Sequence, residues 1–108
     1  MLIATQHDNG SIVAIKLQSG QEIVGKLMEQ TPMAVTVNKP LVVDLTMDQS
    51  NKVAIAMTPG FVLGADWEQN MTINRSHITV MLAAAKAIKD NYIHTTTGIA
   101  VPRSGIIQ

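Results

Sequence analysis

Three histidines, eight carboxylates and eight lysine or arginine side chains are the groups of this chain able to do acid–base, metal or phosphate chemistry. Their spacing assembles none of the usual sites. His7, His77 and His94 form no HxH or HExxH pair, the patterns that turn two imidazoles toward one ion. Cysteine is absent, which removes thiol catalysis, disulfides and cysteine-ligated zinc together. Asp44 with Asp48, and Asp66 with Glu68, are carboxylate pairs at spacings common in loops, and nothing in the sequence makes them converge. No serine stands in a nucleophile elbow, and no glycine-rich stretch is built to cradle phosphate. The expectation is a protein without catalysis and without a cofactor.

Recognition needs less. Single-stranded nucleic acid is held by stacking on aromatic rings and by cations on phosphates. The aromatics are Phe61, Trp67 and Tyr92. Phe61 falls in an apolar stretch and Tyr92 on an apolar helix stripe, so Trp67, in the polar loop from Gly64 to Asn70, is the one candidate platform. Arg75 and His77 bracket a corner between two extended segments, and Asn38 and Lys39 precede a proline. Repeated around a symmetric pore, these four offer donors to phosphates or base edges. Against this stands a formal net charge of zero, with both signs mixed along the chain. Proteins drawn to nucleic acid at long range usually show a basic excess, although a ring concentrates a few positive side chains on one rim.

The elements that must position these groups follow from periodicity. Ser11 to Leu17 alternates, with Val13, Ile15 and Leu17 on one face. Ser19-Gly20 marks a turn, and Gln21 to Met28 resumes the alternation with Ile23, Gly25 and Leu27 on one side, so a hairpin results. Glycine inside a strand, as at Gly25, fits a sharp bend or the close approach of another backbone. Thr31-Pro32 breaks the run. Met33 to Val37 is extended, Asn38-Lys39-Pro40 is a bulge or kink, and Leu41 to Leu45 continues beyond it. Val53 to Met57 is extended, with Phe61 to Leu63 as its continuation past Thr58-Pro59-Gly60. Met71 to Arg75 and His77 to Met81 are the last strands. From Met81 the apolar positions step by three and four through Ala84, Ala85, Ile88 and Tyr92, a short amphipathic helix over about 82–94. Residues 95–108, with Pro102 and Gly105, read as irregular tail.

A chain of 108 residues fits one domain, 1–108. Its apolar fraction of 46% and mean hydropathy of +0.19 are high for that size. The surplus is expected to be buried between subunits. The first residues show no basic region followed by an apolar core, so no secretory signal is expected, and no apolar run approaches the ~18 residues of a membrane span. A cytoplasmic location without membrane contact is the expectation.

The segment Ile12 to Gln30, IVAIKLQSGQEIVGKLMEQ, resembles the first signature of the Sm and Sm-like family, especially its bacterial host-factor branch. Leu17, Gly20, Ile23, Gly25 and Leu27 stand where that pattern has them. Ile73-Asn74-Arg75-Ser76-His77-Ile78 resembles the second signature, with serine in place of the family's glycine. Thr31-Pro32-Met33-Ala34 replaces the acidic residue and apolar-asparagine pair that hold uridine in the family, and Asn38 stands at a different offset. The long central loop and terminal helix also resemble divergent Sm-like proteins associated with phages of marine cyanobacteria.

The resemblance covers roughly residues 11–81. It implies a mainly β fold: a strongly bent five-stranded antiparallel sheet forming a small open barrel over about 11–81, with a short C-terminal amphipathic helix. It further implies a homo-oligomeric ring of about five to seven subunits, closed by the last two strands across each boundary. The function implied is non-catalytic binding of single-stranded RNA or DNA through Arg75, His77, Asn38, Lys39 and Trp67. The residues themselves leave a second expectation open, a structural or protein–protein interaction ring without a nucleic-acid site.

Overall fold

Consecutive apolar residues at Ile12-Val13, Ile23-Val24 and Leu41-Val42-Val43 place apolar side chains on both faces of any sheet these segments enter. The computed structural model, which describes residues 7–97, shows such a two-faced sheet. Its strands are β1 (Ile12–Leu17), β2 (Glu22–Gln30), β3 (Ala34–Met47), β4 (Val53–Thr58), β5 (Asn70–Asn74) and β6 (Ile78–Ala83). A single 3₁₀ turn, Arg75–His77, joins β5 to β6, and one helix, α1 (Lys86–Thr97), follows. All the ladders are antiparallel, in the order β4-β3-β2-β1-β6, with β5 lying off that path against β3.

The β1–β2 hairpin forms where the alternation places it. Gly20 takes φ 96°, and its amide donates to the carbonyl of Leu17 at 2.9 Å. That left-handed conformation favours glycine over any side chain. β3 is the hub. Its first half, Ala34 to Asn38, pairs with β5 and its second half, Val42 to Met47, with β4, while its other side pairs with β2. Between the halves the ladder shifts register: Val24 faces Leu41 and Lys26 faces Asn38, so Lys39-Pro40 bulges opposite Gly25. A bulge absorbs both the proline, which has no N–H to give, and Lys39, whose φ is 51°. β3 therefore runs through Asn38-Lys39-Pro40 with a bulge, one of the two forms, bulge or kink, that the sequence suggests there.

Gly25 has a direct steric reason. A Cβ added there would stand 2.9 Å from the Cβ of Val37 and 3.4 Å from the carbonyl of Asn38. β3 comes too close to β2 at this point for any side chain.

Two apolar clusters lie on opposite faces. Val13, Ile15, Leu17, Ile23, Leu27, Val35, Val37 and Ile73 form one, with Phe61, Met71 and Met81 packed against it. Ile12, Val24 and Leu41 form the other beneath Tyr92 of α1, with Trp67 and Ile88 alongside. Leu17, Ile23 and Leu27 are all buried in the first, each such aliphatic side chain contributing about 1.5–3 kcal/mol.

The expected Sm-like barrel is not what the chain forms. There are six strands, not five, and the sheet is bent without curling shut. Among the described residues no ladder joins β6 to β4 or β5, so both margins stay open. The physical reason lies in the consecutive apolar pairs, which give the sheet two faces to cover instead of one interior to enclose. Phe61 to Leu63 does not continue β4 and is irregular. The helix begins at Lys86, because Leu82 and Ala83 prolong β6, and it runs to Thr97. Residues 98–108 of the expected tail lie outside the described residues. Among those described, no helix is long and apolar enough to cross a membrane.

Candidate functional site

Asn38 and Lys39 are engaged inside the fold. The Asn38 amide donates to Oδ1 of Asn70 at 2.9 Å across the β3–β5 ladder. Its backbone carbonyl accepts from the Tyr92 hydroxyl. The bulge that sets Lys39 at φ 51° also turns its side chain toward α1, where Nζ donates to the carbonyl of Thr96 at 3.0 Å. A cation on the last carbonyls of a helix satisfies an orphan acceptor and complements the negative end of the helix dipole. Lys26 and Lys89 line the same cleft of about 310 Å³ beside that helix end.

Arg75 and His77 belong to one turn and open into different spaces. Arg75 Nε donates to the carbonyl of Thr31 at 2.7 Å, and Arg75 lines a cleft of about 730 Å³ with His7, Gln30 and Thr79. His77 is exposed and borders an apolar groove of about 590 Å³ with Leu17, Phe61 and Ile73. Asn74 fixes the turn, its Oδ1 accepting from the amide and the hydroxyl of Ser76, both at 3.0 Å. Trp67 is half-buried against the cluster under α1 and walls a pocket of about 100 Å³ with Phe61, Pro40 and Met71. The five residues thus sit on four separate concavities of the protomer.

The loop carboxylates serve their own loops. Asp48 accepts from the amides of Ser50 and Lys52, both at 2.9 Å, and from the Ser50 hydroxyl at 2.8 Å. Those donors, the Lys52 amide first, hold its pKa below the usual carboxylate value. Asp66 accepts from the Glu68 amide at 3.0 Å. Among the described residues no three His, Asp or Glu side chains gather as metal ligands.

The feature the sequence did not announce is the state of the two margins. β4, VAIAMT, and β6, ITVMLA, are end strands of the ladder path, and neither contains a charge, a proline or a glycine. Leu45 pairs with Ile55 and Met47 with Val53 on one face of the β3–β4 hairpin. All four are exposed, Leu45 at 74% and Ile55 at 49%. On β6, Val80 and Leu82 are likewise exposed, Leu82 at 60%. Register places Val80 opposite Lys16 and Leu82 opposite Ala14, on the sheet face that carries Ile12 and Val24. The hairpin patch lies on that face too, continuing outward from Leu41 and Val43.

A second unannounced feature is His7. Its Nε2 lies 3.2 Å from the carbonyl of Met81, and its own carbonyl accepts from Gln30 Nε2 at 2.6 Å. These bonds tie the segment before β1 to both β2 and β6.

No protein-family model matches the chain, and no curated protein matches it. The Sm-like resemblance of the hairpin, including its host-factor and cyanophage branches, is therefore without support from any match, and the open sheet contradicts it.

Proposed function

We propose that this protein is a self-associating interaction module whose two open sheet margins join head to tail, the β6 margin of one copy against the β3–β4 margin of the next. The observation that carries this is the pair of uncharged, proline-free edge strands, each flanked by large exposed apolar side chains. Natural edges are blunted with lysine, proline or bulges because bare backbone donors and acceptors recruit other strands. Apart from the His7 ring on the carbonyl of Met81, the edges of β4 and β6 carry none of these devices, and such strands are covered in the working state. Each margin differs from the other, so the contact is heterologous, and repetition gives a ring where the rotation closes. An apolar fraction of 46% in a chain of this size has the same explanation.

Ile55→Glu and Leu82→Glu test the proposal, since each spoils one margin. Native mass spectrometry of the unaltered protein should give a discrete oligomer, and each variant alone should be monomeric. Mixed, the two variants retain one good margin each and should form a dimer that stops growing. A monomeric unaltered protein overturns the proposal, as does assembly of either variant alone.

A further inference from the structure

A cavity of about 730 Å³ lies between the β2–β3 turn, the 3₁₀ turn and β6. Its volume is in the range of pockets that hold small molecules. Arg75 is its cation. Nε is engaged by the carbonyl of Thr31 at 2.7 Å, which fixes the plane of the guanidinium and leaves the N–H groups of its two terminal nitrogens. The one ion pair among the described residues is Lys86–Asp90, so Arg75 has no carboxylate there. None of the residues lining the cleft is acidic. The Thr79 hydroxyl adds a polar group at the wall, and Pro32, Ile78, Val80 and Met81 make the remainder apolar. The wall is braced, because Gln30 holds the carbonyl of His7 and the His7 ring holds that of Met81.

From this arrangement we infer that the cleft binds a small molecule bearing an oxyanion, a carboxylate or a phosphate, on the Arg75 guanidinium, with an apolar body against Pro32, Ile78 and Val80. A planar fork already oriented by one hydrogen bond is matched to two oxygens of such a group. The site is built within one protomer, but Thr79 and Val80 belong to β6, so association through that margin as proposed above covers part of its rim.

Nuclear magnetic resonance titration of the full chain tests it, following the Arg75 Nε–H and the amides of Thr79 and Val80. The titrants are inorganic phosphate, acetate and benzoate at constant ionic strength. The same series on Ile55→Glu separates this site from self-association. Saturable shifts at these three groups are expected in Ile55→Glu, whose β6 margin has no neighbour on it, and weaker ones in the unaltered protein if its copies associate through β6. Tighter binding of benzoate than acetate identifies a carboxylate on an apolar body, and tighter binding of phosphate than of either identifies a phosphorylated ligand. Arg75→Gln should weaken binding about tenfold, the scale of one charge-assisted hydrogen bond. Thr79→Trp, at an exposed position, should fill the cleft and abolish binding with Arg75 intact. Shifts that fail to saturate with all three anions overturn the inference. So do shifts that persist unchanged in a folded Arg75→Gln or Thr79→Trp protein.

Discussion

The hydroxyl of Tyr92 donates to the backbone carbonyl of Asn38 at 2.5 Å and accepts from the backbone amide of Lys26 at 3.2 Å. Lys26 and Asn38 are the ladder partners on the far side of the bulge from Val24 and Leu41. One side chain from α1 thus spans the two strands where the ladder is irregular, and it is nearly fully buried. Tyr92→Phe keeps the ring and removes the hydroxyl, leaving a main-chain carbonyl and amide without that partner. Denaturant unfolding should show a loss of about 1–3 kcal/mol. The amides of Lys26 and Asn38 should also exchange faster with solvent.

Burial pushes the Tyr92 hydroxyl up to about 12 from 10.0, partly opposed by the hydrogen bond from the Lys26 amide. The folded state therefore holds this proton more tightly than the unfolded chain does. The resulting stability is full below pH 10 and is lost as pH rises through about 12. Since Tyr92 is the only tyrosine, phenolate absorbance reports it alone. Its titration should lag the free-phenol value in the folded protein, and Tyr92→Phe should flatten the alkaline fall in melting temperature between those two pH values. A titration at the ordinary tyrosine value in folded protein would contradict the buried latch.

Gly25→Ala puts a methyl group 2.9 Å from the Cβ of Val37, and neither atom sits at the end of a flexible side chain. The strands must separate, at a cost of about 1–3 kcal/mol. Pairing it with Val37→Ala is not expected to restore stability, because the nearest contact is to Val37 Cβ itself, which alanine retains. Chemical denaturation of both variants measures this.

Lys39 combines a left-handed backbone with a side chain on the helix end. Lys39→Ala and Lys39→Gly both remove the bond to Thr96, and only glycine relieves the backbone. Lys39→Gly should therefore unfold at higher denaturant than Lys39→Ala, by roughly 0.5–1 kcal/mol. The opposite order would place the cost of Lys39 elsewhere than in its φ.

Local pattern made much of this fold readable. Alternation and Gly20 give the β1–β2 hairpin within a residue or two. Gly25 announces a sharp bend or a close approach without deciding between them, and the structure shows the close approach, to Val37. The step of three and four finds Ile88 and Tyr92, which do pack on the sheet. It also takes in Met81, which belongs to β6 and packs on the opposite cluster, so the spacing starts the helix four residues early. Curvature is not a one-dimensional property, and a hairpin with Leu17, Gly20, Ile23, Gly25 and Leu27 serves an open sheet as well as a closed one. Likewise nothing in the spacing of Asn38 and Lys39 shows that helix residues 54 and 57 positions on engage them. The Arg75 cleft joins His7, Gln30 and Thr79 through contacts so distant in sequence that no motif spans them.

The pairing of Ile15 with Met81 has a consequence for how the protein is made. β1 through β4 is a meander in which each strand meets the one synthesised just before it. It is able to form while the rest of the chain is still being translated. β1, however, waits for β6, and the bond closing that ladder spans almost the whole described chain, the slowest kind of contact to find. Until then the nascent sheet shows bare backbone along β1 as well as β4. A ribosome stalled after Thr58 would hold a sticky intermediate. The strand that covers the β1 edge comes from the half of the chain that follows Thr58.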